Sequence, residues 1–422
     1  MVQAERGNFV NNDENEVNDL PFDLINDNIL PRLPVKSLVR FTSVCKTWET
    51  LIKSPQFVAA HLKLNDRPES KCQYPLILKG NSCYTVKNQI PIYLDKLGSE
   101  NEDVRDFQPP DSCNGLILLK VDYYDVGCEF FLWNPSIRKY KGVNASRLNY
   151  IGGDYKVFGL GYHKPSDDYR VVRIDYDPVV DEDEDEDEDE HEDEDGNAFL
   201  KFSTKVEIYS LRTNSWRKVD LNPCGLVGFR GGVFLNGRIH WLANTKFCYD
   251  DDDDGSYPSK DYIESILFFD LEKECFGEIK LPENFYNGYA DLIAFKEFQG
   301  SLAAIFVDRS NYKCFVWVMG EYGVTNSWHI NLTIRLPRQI GSPLGFIDNG
   351  MLVCEEWGSS TKKIRKKVPG FILLDNIEFG ELTKVINYKE SLALLGRDSM
   401  DDEDLNDFSE DEDSDDNSED EG

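Results

Sequence analysis

"FLWNPSIRKY", residues 131–140, combines a short hydrophobic strand, a tight polar turn and a closing aromatic residue. Aromatic and β-branched residues favour strands, whereas Asn, Pro and Ser favour the turn between them. The same arrangement recurs in "EIYSLRTNSW" at 207–216 and in "LFFDLEKECF" at 267–276. The stretch therefore predicts a repeated hairpin. In each copy two aromatic residues enclose six others: Trp133 and Tyr140, Tyr209 and Trp216, Phe269 and Phe276.

Glycines mark the period of this repeat. Gly115, Gly237, Gly300 and Gly350 each open a hydrophobic strand, with 63 residues from Gly237 to Gly300 and 50 from Gly300 to Gly350. Antiparallel strands with a period of this size are typical of propeller blades, which bury their faces only when neighbours stack on them.

The number of blades follows from the copies. A longer-turned copy, "FVWVMGEYGVTNSW" at 315–328, and a degenerate one, "FILLDNIEF" at 371–379, bring the count to five. "YPLILKGNSCYTVKNQIPIYLD" at 74–95 supplies strands for a sixth blade or for closing the ring. We therefore expect an all-β, propeller-like domain of six blades, with five as the alternative.

The strong net charge of −32 is concentrated in three short runs. Residues 181–195, 250–254 and 398–422 hold 14, 5 and 15 acidic residues and no Lys or Arg, so the remainder is close to neutral. Such runs have no apolar groups around which to fold. We expect disorder in an insert at 178–197, which interrupts one blade, and in a tail at 397–422. Without a basic excess, the folded part is not expected to bind nucleic acid.

The N-terminal region has a helical pattern instead. Apolar residues recur at three- and four-residue spacing between residues 20 and 64, interrupted by four prolines. Three such short helices bury too little apolar surface to be stable alone. Either they dock on the strand domain or they pair with another protein. The fold class is therefore α+β by domain: a small three-helix unit followed by the all-β domain.

"LPFDLINDNILPRLPVKSLVRFTSVCKTWETLIKSPQFVAAHL", residues 20–62, resembles the F-box. The resemblance covers Leu-Pro, an acid, Ile-Leu, Leu-Pro, Ser-Leu, Arg-Phe, Val-Cys-Lys-x-Trp, Leu-Ile and Ser-Pro in order; Pro31 departs from it and should end the first helix early. The resemblance implies binding to the Skp-type adaptor of cullin-RING ubiquitin ligases. Carried over by position, the adaptor-binding residues are Leu20, Pro21, Leu24, Ile25, Leu33, Pro34, Leu38, Val44, Cys45 and Trp48.

The remainder resembles the plant F-box-associated domain, which is found in S-locus F-box and F-box/kelch-like proteins. Stretches such as "SCNGLILL", "LWNPSIRKY" and "VFLNGRIHWLA" carry this resemblance. We expect the domains to be a disordered arm at 1–16, the F-box at 17–64, the F-box-associated domain at 65–396 and the acidic tail at 397–422.

Together the two resemblances imply the substrate-recognition subunit of an SCF-type E3 ubiquitin ligase. It would reach cullin and RING subunits through the adaptor and hold an unknown protein substrate on its propeller. Two alternatives stay open: an interaction module that sequesters a partner without degradation, and a propeller that senses a sugar or small molecule.

Catalytic and metal-binding patterns are missing from the sequence. The ten cysteines form no Cys-x-x-Cys pair, and the five histidines have no ligand spacing. No nucleophile elbow or phosphate-binding glycine loop occurs. We therefore expect no enzymatic activity of its own, no metal and no cofactor. Without a signal peptide or a membrane-spanning run, we expect a cytoplasmic or nuclear protein that does not bind membranes.

Overall fold

The structure, a computed structural model, divides the chain into two compact units, Met1–Arg67 and Pro68–Gly422. Most of the predicted disordered segments lie outside the described residues, although Pro178, the first residue of the predicted insert, ends a strand. The described residues are 24–65, 73–79, 82–85, 92–93, 104–123, 127–143, 156–178, 202–221, 226–227, 232–244, 263–283, 285, 291–308, 310–336, 340–346, 352–356, 365–368, 371–374 and 383–396.

The first unit is helical, as the apolar spacing predicts. A π-helical turn, Ile25–Ile29, continues into a 3-10 turn, Leu30–Arg32, which contains Pro31 and ends the segment. Prolines also mark the N-termini of helices that follow, because a residue without an N–H is tolerated at a helix N-terminus. Three α-helices follow: α1 Val35–Phe41, α2 Lys46–Ile52 and α3 Pro55–Asn65.

The described strands of the second unit form six sheets. The first three follow one another along the chain. Sheet I contains β4 Val104–Cys113, β5 Leu116–Tyr123, β6 Gly127–Asn134 and β7 Lys139–Val143. Sheet II contains β8 Lys156–His163, β9 Asp168–Pro178, β10 Phe202–Ser210 and β11 Ser215–Val219. Sheet III contains β12 Leu226–Val227, β13 Val233–Leu235, β14 Arg238–Asn244, β15 Ile263–Asp270 and β16 Cys275–Lys280.

The other three sheets include one built from both ends of the unit, where residues 383–389 pair with residues 73–79. Pairing is antiparallel except between residues 352–355 and residues 371–374. Sheet IV contains β17 Asp291–Phe298, β18 Ser301–Asp308, β19 Lys313–Met319 and β20 Trp328–Arg335. Sheet V contains β21 Ile340–Phe346, β22 Leu352–Glu356, β23 Arg365–Val368 and β24 Phe371–Leu374. The closing sheet contains β1 Gln73–Lys79, β2 Ser82–Thr85, β3 Ile92–Tyr93 and β25 Thr383–Lys389.

The six sheets follow one another in a closed cycle. An edge strand of each lies beside an edge strand of the next, and the last returns to the first. The neighbours are β4 and β8, β8 and β13, β13 and β17, β17 and β21, β21 and β25, and β25 and β4. The stretch at 74–95 thus supplies strands to a sheet that the C-terminal strand completes.

Two-residue turns explain the repeated glycines. Asn114 and Gly115 have φ of 47° and 83°, and Asn236 and Gly237 have φ of 53° and 75°. Two successive residues with positive φ form the type I′ turn, whose twist matches that of the flanking strands. Gly350 lies outside the described residues.

The aromatic pairs of the repeat are direct cross-strand partners. Trp133 lies opposite Tyr140, Tyr209 opposite Trp216, and Phe269 opposite Phe276. Aromatic partners at this position stabilise neighbouring strands. Apolar side chains also fill the spaces between sheets, where Trp241 is fully buried and its Nε1 donates to the carbonyl of Phe158 at 3.1 Å. This packing joins neighbouring sheets of the second unit.

Candidate functional site

Exposed apolar side chains mark a candidate surface on the helical unit. Leu24, Ile29 and Val44 are 41%, 37% and 61% exposed. When a partner covers exposed apolar groups of this kind, the free energy decreases, so such groups favour association. Across the second and much larger unit, the described residues include three other large apolar side chains with comparable exposure, Tyr312, Val324 and Ile330.

A small core holds this surface in shape. Leu30, Val35, Leu38, Ile52 and Phe57 are buried where the helices meet. Five side chains are few for an independent domain, as the sequence predicts.

The turn between the first helical segment and α1 is fixed by a buried histidine. His61 of α3 is 1% exposed, and its Nε2 lies 3.0 Å from the carbonyl oxygen of Leu33. This contact ties the Leu33-Pro34 turn to α3. Between α1 and α2, the ring centroids of Phe41 and Trp48 lie 5.3 Å apart, so the half-buried Trp48 is supported by the preceding helix.

Of the ten residues predicted to bind the adaptor, the eight that the structure describes occupy three environments. Leu24, Pro34, Val44 and Cys45 are exposed, and Ile25, Leu33 and Trp48 are half-buried. Leu38 is fully buried, so in this conformation it supports the surface from within. Leu20 and Pro21 lie outside the described residues.

One exposed apolar residue, Ile29, was missed by sequence reasoning. The position of Ile29, four residues after Ile25, did not indicate that it is exposed, because the π-helical turn changes the angle between successive side chains.

The charged residues of the helical unit are mostly basic. Within residues 24–53, the basic residues Arg32, Lys36, Arg40, Lys46 and Lys53 are all exposed, against two acids, Asp27 and Glu49. Glu49 is already paired with Lys53 at 2.9 Å, and this hydrogen bond lowers the pKa of the Glu49 carboxyl. The surface therefore favours an acidic partner.

The second unit contains a buried polar chain between sheets III and IV. His240 is fully buried; its Nδ1 lies 3.0 Å from the carbonyl of Val233, and its Nε2 lies 2.7 Å from the hydroxyl of Tyr322. Since a carbonyl only accepts, Nδ1 carries the proton and Nε2 accepts from Tyr322. Burial lowers the pKa of His240 to about 4.

Arg238 extends this buried network of hydrogen bonds. Its Nη1 donates to the Tyr322 hydroxyl at 3.3 Å and its Nε to Asp270 at 2.9 Å. The hydrogen bond to Tyr322 raises the pKa of Arg238 further. Every polar group named here has a partner within the chain, so we assign the cluster to holding two sheets together.

The described ranges contain no group of three or more His, Cys, Asp or Glu side chains arranged to hold a metal ion. Likewise, none of the helices in those ranges has the length and apolar character needed to cross a membrane.

A small helical unit with exposed apolar side chains, preceding a closed cycle of β-sheets, defines an F-box type of protein with a propeller domain. Residues 17–59 match the F-box domain, and residues 76–392 match the F-box associated beta propeller domain. The chain therefore belongs to the F-box associated beta propeller family. The predicted family and propeller-like fold are confirmed, whereas the choice between six blades and five stays a prediction.

Two similar proteins of Arabidopsis thaliana are also named as F-box proteins. The chain is 27% identical over 355 residues to F-box/kelch-repeat protein At3g23880, covering 81% of this chain and 86% of the relative. It is 27% identical over 343 residues to F-box protein CPR1, covering 76% of this chain and 75% of that relative. Among solved structures, "Structure of YjhT" aligns with a TM-score of 0.30 at 9% identity, covering 52% of this chain and 64% of that one.

Proposed function

We propose that this protein is the substrate-recognition subunit of an SCF-type cullin-RING E3 ubiquitin ligase. The observation that carries the proposal is the exposed apolar set of the F-box unit. Leu24, Ile29 and Val44 are exposed apolar side chains within a domain of the type that binds Skp-type adaptors.

The adaptor contact combines apolar burial with charge. Val44 and Cys45 lie in the connection between α1 and α2, next to Trp48. An adaptor that inserts apolar side chains here covers the exposed groups, and an acidic one is also attracted by the surrounding lysines and arginines. Leu38 supports this surface from the core.

The propeller holds the protein substrate in this proposal. Its loops vary between sheets while the packed strands fix their positions, which is the usual arrangement of binding loops on a rigid frame. The complex acts by proximity, because holding a substrate lysine near the ubiquitin thioester raises its effective concentration. No chemical step is assigned to this chain.

Cysteine alkylation tests the adaptor contact directly. Cys45 is exposed, whereas burial raises the pKa of the Cys314 thiol to about 12. We expect iodoacetamide to modify Cys45 in the free chain and Cys314 hardly at all, because the thiolate is the reactive form. Purified Skp-type adaptor should slow the reaction at Cys45 by about tenfold or more if the site is desolvated. Unchanged labelling of Cys45 in a chain that co-purifies with the adaptor would place the contact elsewhere.

A second experiment separates ligase function from sequestration. Proteins captured by the chain should turn over more slowly when the chain is depleted, and proteasome inhibition should remove that difference. If partners keep their half-lives on depletion, the protein binds them without promoting degradation.

A further inference from the structure

The exposed apolar side chains of the second unit are concentrated on sheet IV. Among the described residues of that unit, the large apolar side chains with high exposure are Tyr312, Val324 and Ile330, at 43%, 40% and 45%. Tyr312 directly precedes β19, Val324 lies in the loop between β19 and β20, and Ile330 lies on β20. Exposed apolar groups favour association with a partner that covers them, so this hairpin is a candidate contact surface.

Strand β20 is the outermost strand of sheet IV. The strand order is β17-β18-β19-β20, and β17 is the edge strand that lies beside neighbouring sheets. In the described ranges, no strand pairs with the outer edge of β20. The N–H of Leu336 donates to the carbonyl oxygen of Tyr312 at 2.7 Å, so Leu336 faces inward. By strand alternation, Thr333 and Arg335 direct their N–H and C=O groups outward.

The outer edge of β20 is longer and less charged than the outer edges of the other sheets. Proteins prevent outer strands from pairing with other chains by keeping them short or charged. β3 has two residues, β7 and β11 have five with two lysines or arginines each, β16 has six with a glutamate and a lysine, and β23 has three bases among four. β20 has eight residues and, besides His329, a single charged residue at its end. This edge therefore resists pairing least.

A β-bulge in β20 decides which side chains share a face. The register opposite β19 shifts by one residue at Asn331, which interrupts the regular edge there. The shift brings Ile330, Thr333 and Arg335 to one side of the sheet. They lie opposite alternate residues of β19, namely Trp317, Phe315 and Lys313. A strand added outside β20 therefore meets an apolar, a polar and a basic side chain in turn.

Charges across sheet IV favour an acidic residue on such a strand. Asp308, Lys313 and Arg335 are direct neighbours on β18, β19 and β20. Asp308 is 8% exposed and already accepts hydrogen bonds from Asn311 at 2.9 and 2.8 Å. Lys313 and Arg335 place like charges opposite each other, which is unfavourable. Arg335 is exposed and forms no ion pair with a described residue, so an acid opposite it corrects the imbalance.

The loop that leads into β20 is fixed to sheet III. The hydroxyl of Tyr322 donates to Nε2 of His240 at 2.7 Å, and Oγ1 of Thr325 donates to the carbonyl oxygen of Lys280 at 2.9 Å. The start of β20 is therefore held in place before a partner arrives, which reduces the entropy that binding costs.

We propose that β20 binds an extended segment of another protein, which joins sheet IV as a fifth strand. The segment runs antiparallel to β20, as neighbouring strands of this sheet do. It has an acidic residue opposite Arg335 and, four positions later, an apolar residue opposite Ile330. The outward backbone groups of Thr333 and Arg335 hydrogen-bond to it. A second copy of β20 fits less well, because it brings no acid. This surface extends the proposed function, but binding to it requires neither the adaptor nor ubiquitin transfer.

Hydrogen exchange of the full chain tests whether the outer edge is open. Exchange is followed at single amides by mass spectrometry with electron-transfer fragmentation. We expect the amide of Arg335 to exchange at least about tenfold faster than that of Leu336, because the first faces outward and the second donates to Tyr312. Equally slow exchange of both amides would show that the outer edge is already covered, and would overturn the proposal.

Peptide binding tests the predicted pattern. The probe is a fluorescently labelled peptide, Ser-Thr-Glu-Val-Thr-Val-Ile-Thr-Ser, whose glutamate and isoleucine have the proposed spacing, and binding is measured by fluorescence polarisation. Arg335→Glu should weaken binding about fivefold or more, and this variant should instead prefer the peptide with lysine in place of glutamate. Lys164→Glu, an exposed charge change on sheet II, is the matched control and should bind like the wild type.

Thr333→Pro tests backbone pairing separately. Proline removes an outward N–H and is tolerated on outer strands, so this variant should keep the thermal midpoint of the wild type but bind the peptide about tenfold or more weakly. The proposal is overturned if the wild type does not bind the peptide at up to about 1 mM, or if Arg335→Glu binds it equally well. It is also overturned if the free chain is a dimer that Thr333→Pro dissociates, since a second copy then occupies the edge. None of these outcomes depends on adaptor binding.

Discussion

The side-chain amide of Asn134 donates a hydrogen bond to the carbonyl oxygen of Ala393 at 2.6 Å, joining the first copy of the repeat to the C-terminal end of the described residues. The same nitrogen donates to the carbonyl of Ser391 at 3.0 Å. Its oxygen accepts from the backbone N–H of Ser136 and from the hydroxyl of Tyr388. Asn134 is fully buried, so water cannot replace these bonds.

Asn134→Ala should therefore destabilise the second unit by about 2–4 kcal/mol, because it leaves buried donors and acceptors without partners. Thermal unfolding measured by circular dichroism should show a midpoint several degrees lower. Asn331→Ala, at an exposed position of β20, is the control and should leave the midpoint unchanged. Equal midpoints for the two variants would mean that Asn134 does not secure the C-terminal segment.

Two glycines in equivalent turns should respond differently to alanine. Gly115 and Gly237 both have positive φ, which costs an alanine about 1–2 kcal/mol. At Gly115 the added Cβ would also overlap the side chain of Ser391 and lie 2.7 Å from the carbonyl oxygen of Lys389. At Gly237 it meets nothing within 4 Å.

Gly115→Ala should thus lower the free energy of unfolding clearly more than Gly237→Ala does, as measured in urea. Because the turn type is the same, the difference between the variants reports the contact with the C-terminal segment. If the two variants lose the same free energy of unfolding, the close approach of Ser391 to the turn at Gly115 would be contradicted.

His240 should make stability depend on pH. Burial holds the pKa of His240 at about 4, below its ordinary value of 6.5, so folding favours the neutral ring. Its contribution is fully present above about pH 6.5 and is lost as the pH falls from there through 4. By linkage this amounts to up to about 3 kcal/mol.

Urea unfolding between pH 4.5 and 7 checks this expectation. The loss of stability toward acid should be smaller in His240→Gln than in the wild type, while His329→Gln, at an exposed position of β20, should follow the wild type. If the His240→Gln profile runs parallel to that of the wild type, His240 is not held neutral by burial.

The repeat could be read from sequence because its signals are local. Asn-Gly turns require positive φ, and aromatic residues enclosing a fixed number of turn residues become cross-strand partners once the hairpin forms, as Trp133 and Tyr140 do. The pairing of β25 with β1 joins residues about 300 positions apart, and no local pattern specifies it.

The candidate surface was only partly predictable for a related reason. Spacing predicted that Leu24 and Val44 belong to apolar stripes of short helices, although Val44 lies in the connection between α1 and α2, and it did not distinguish them from Leu38, which is fully buried. That distinction depends on how α1, α2 and α3 pack. It also depends on the π-helical turn, which exposes Ile29.

Isothermal titration calorimetry of the full chain with a purified Skp-type adaptor tests the central claim most directly. Val44→Asp places a charge on a side chain that is 61% exposed, so it should leave the helical core intact. Lys63→Glu, at an exposed position of α3 outside the proposed surface, is the control. We predict that the wild type and the control bind alike and that Val44→Asp binds about tenfold or more weakly, as expected at an interface hot spot. No binding by the wild type, or equal binding by Val44→Asp, would contradict the account.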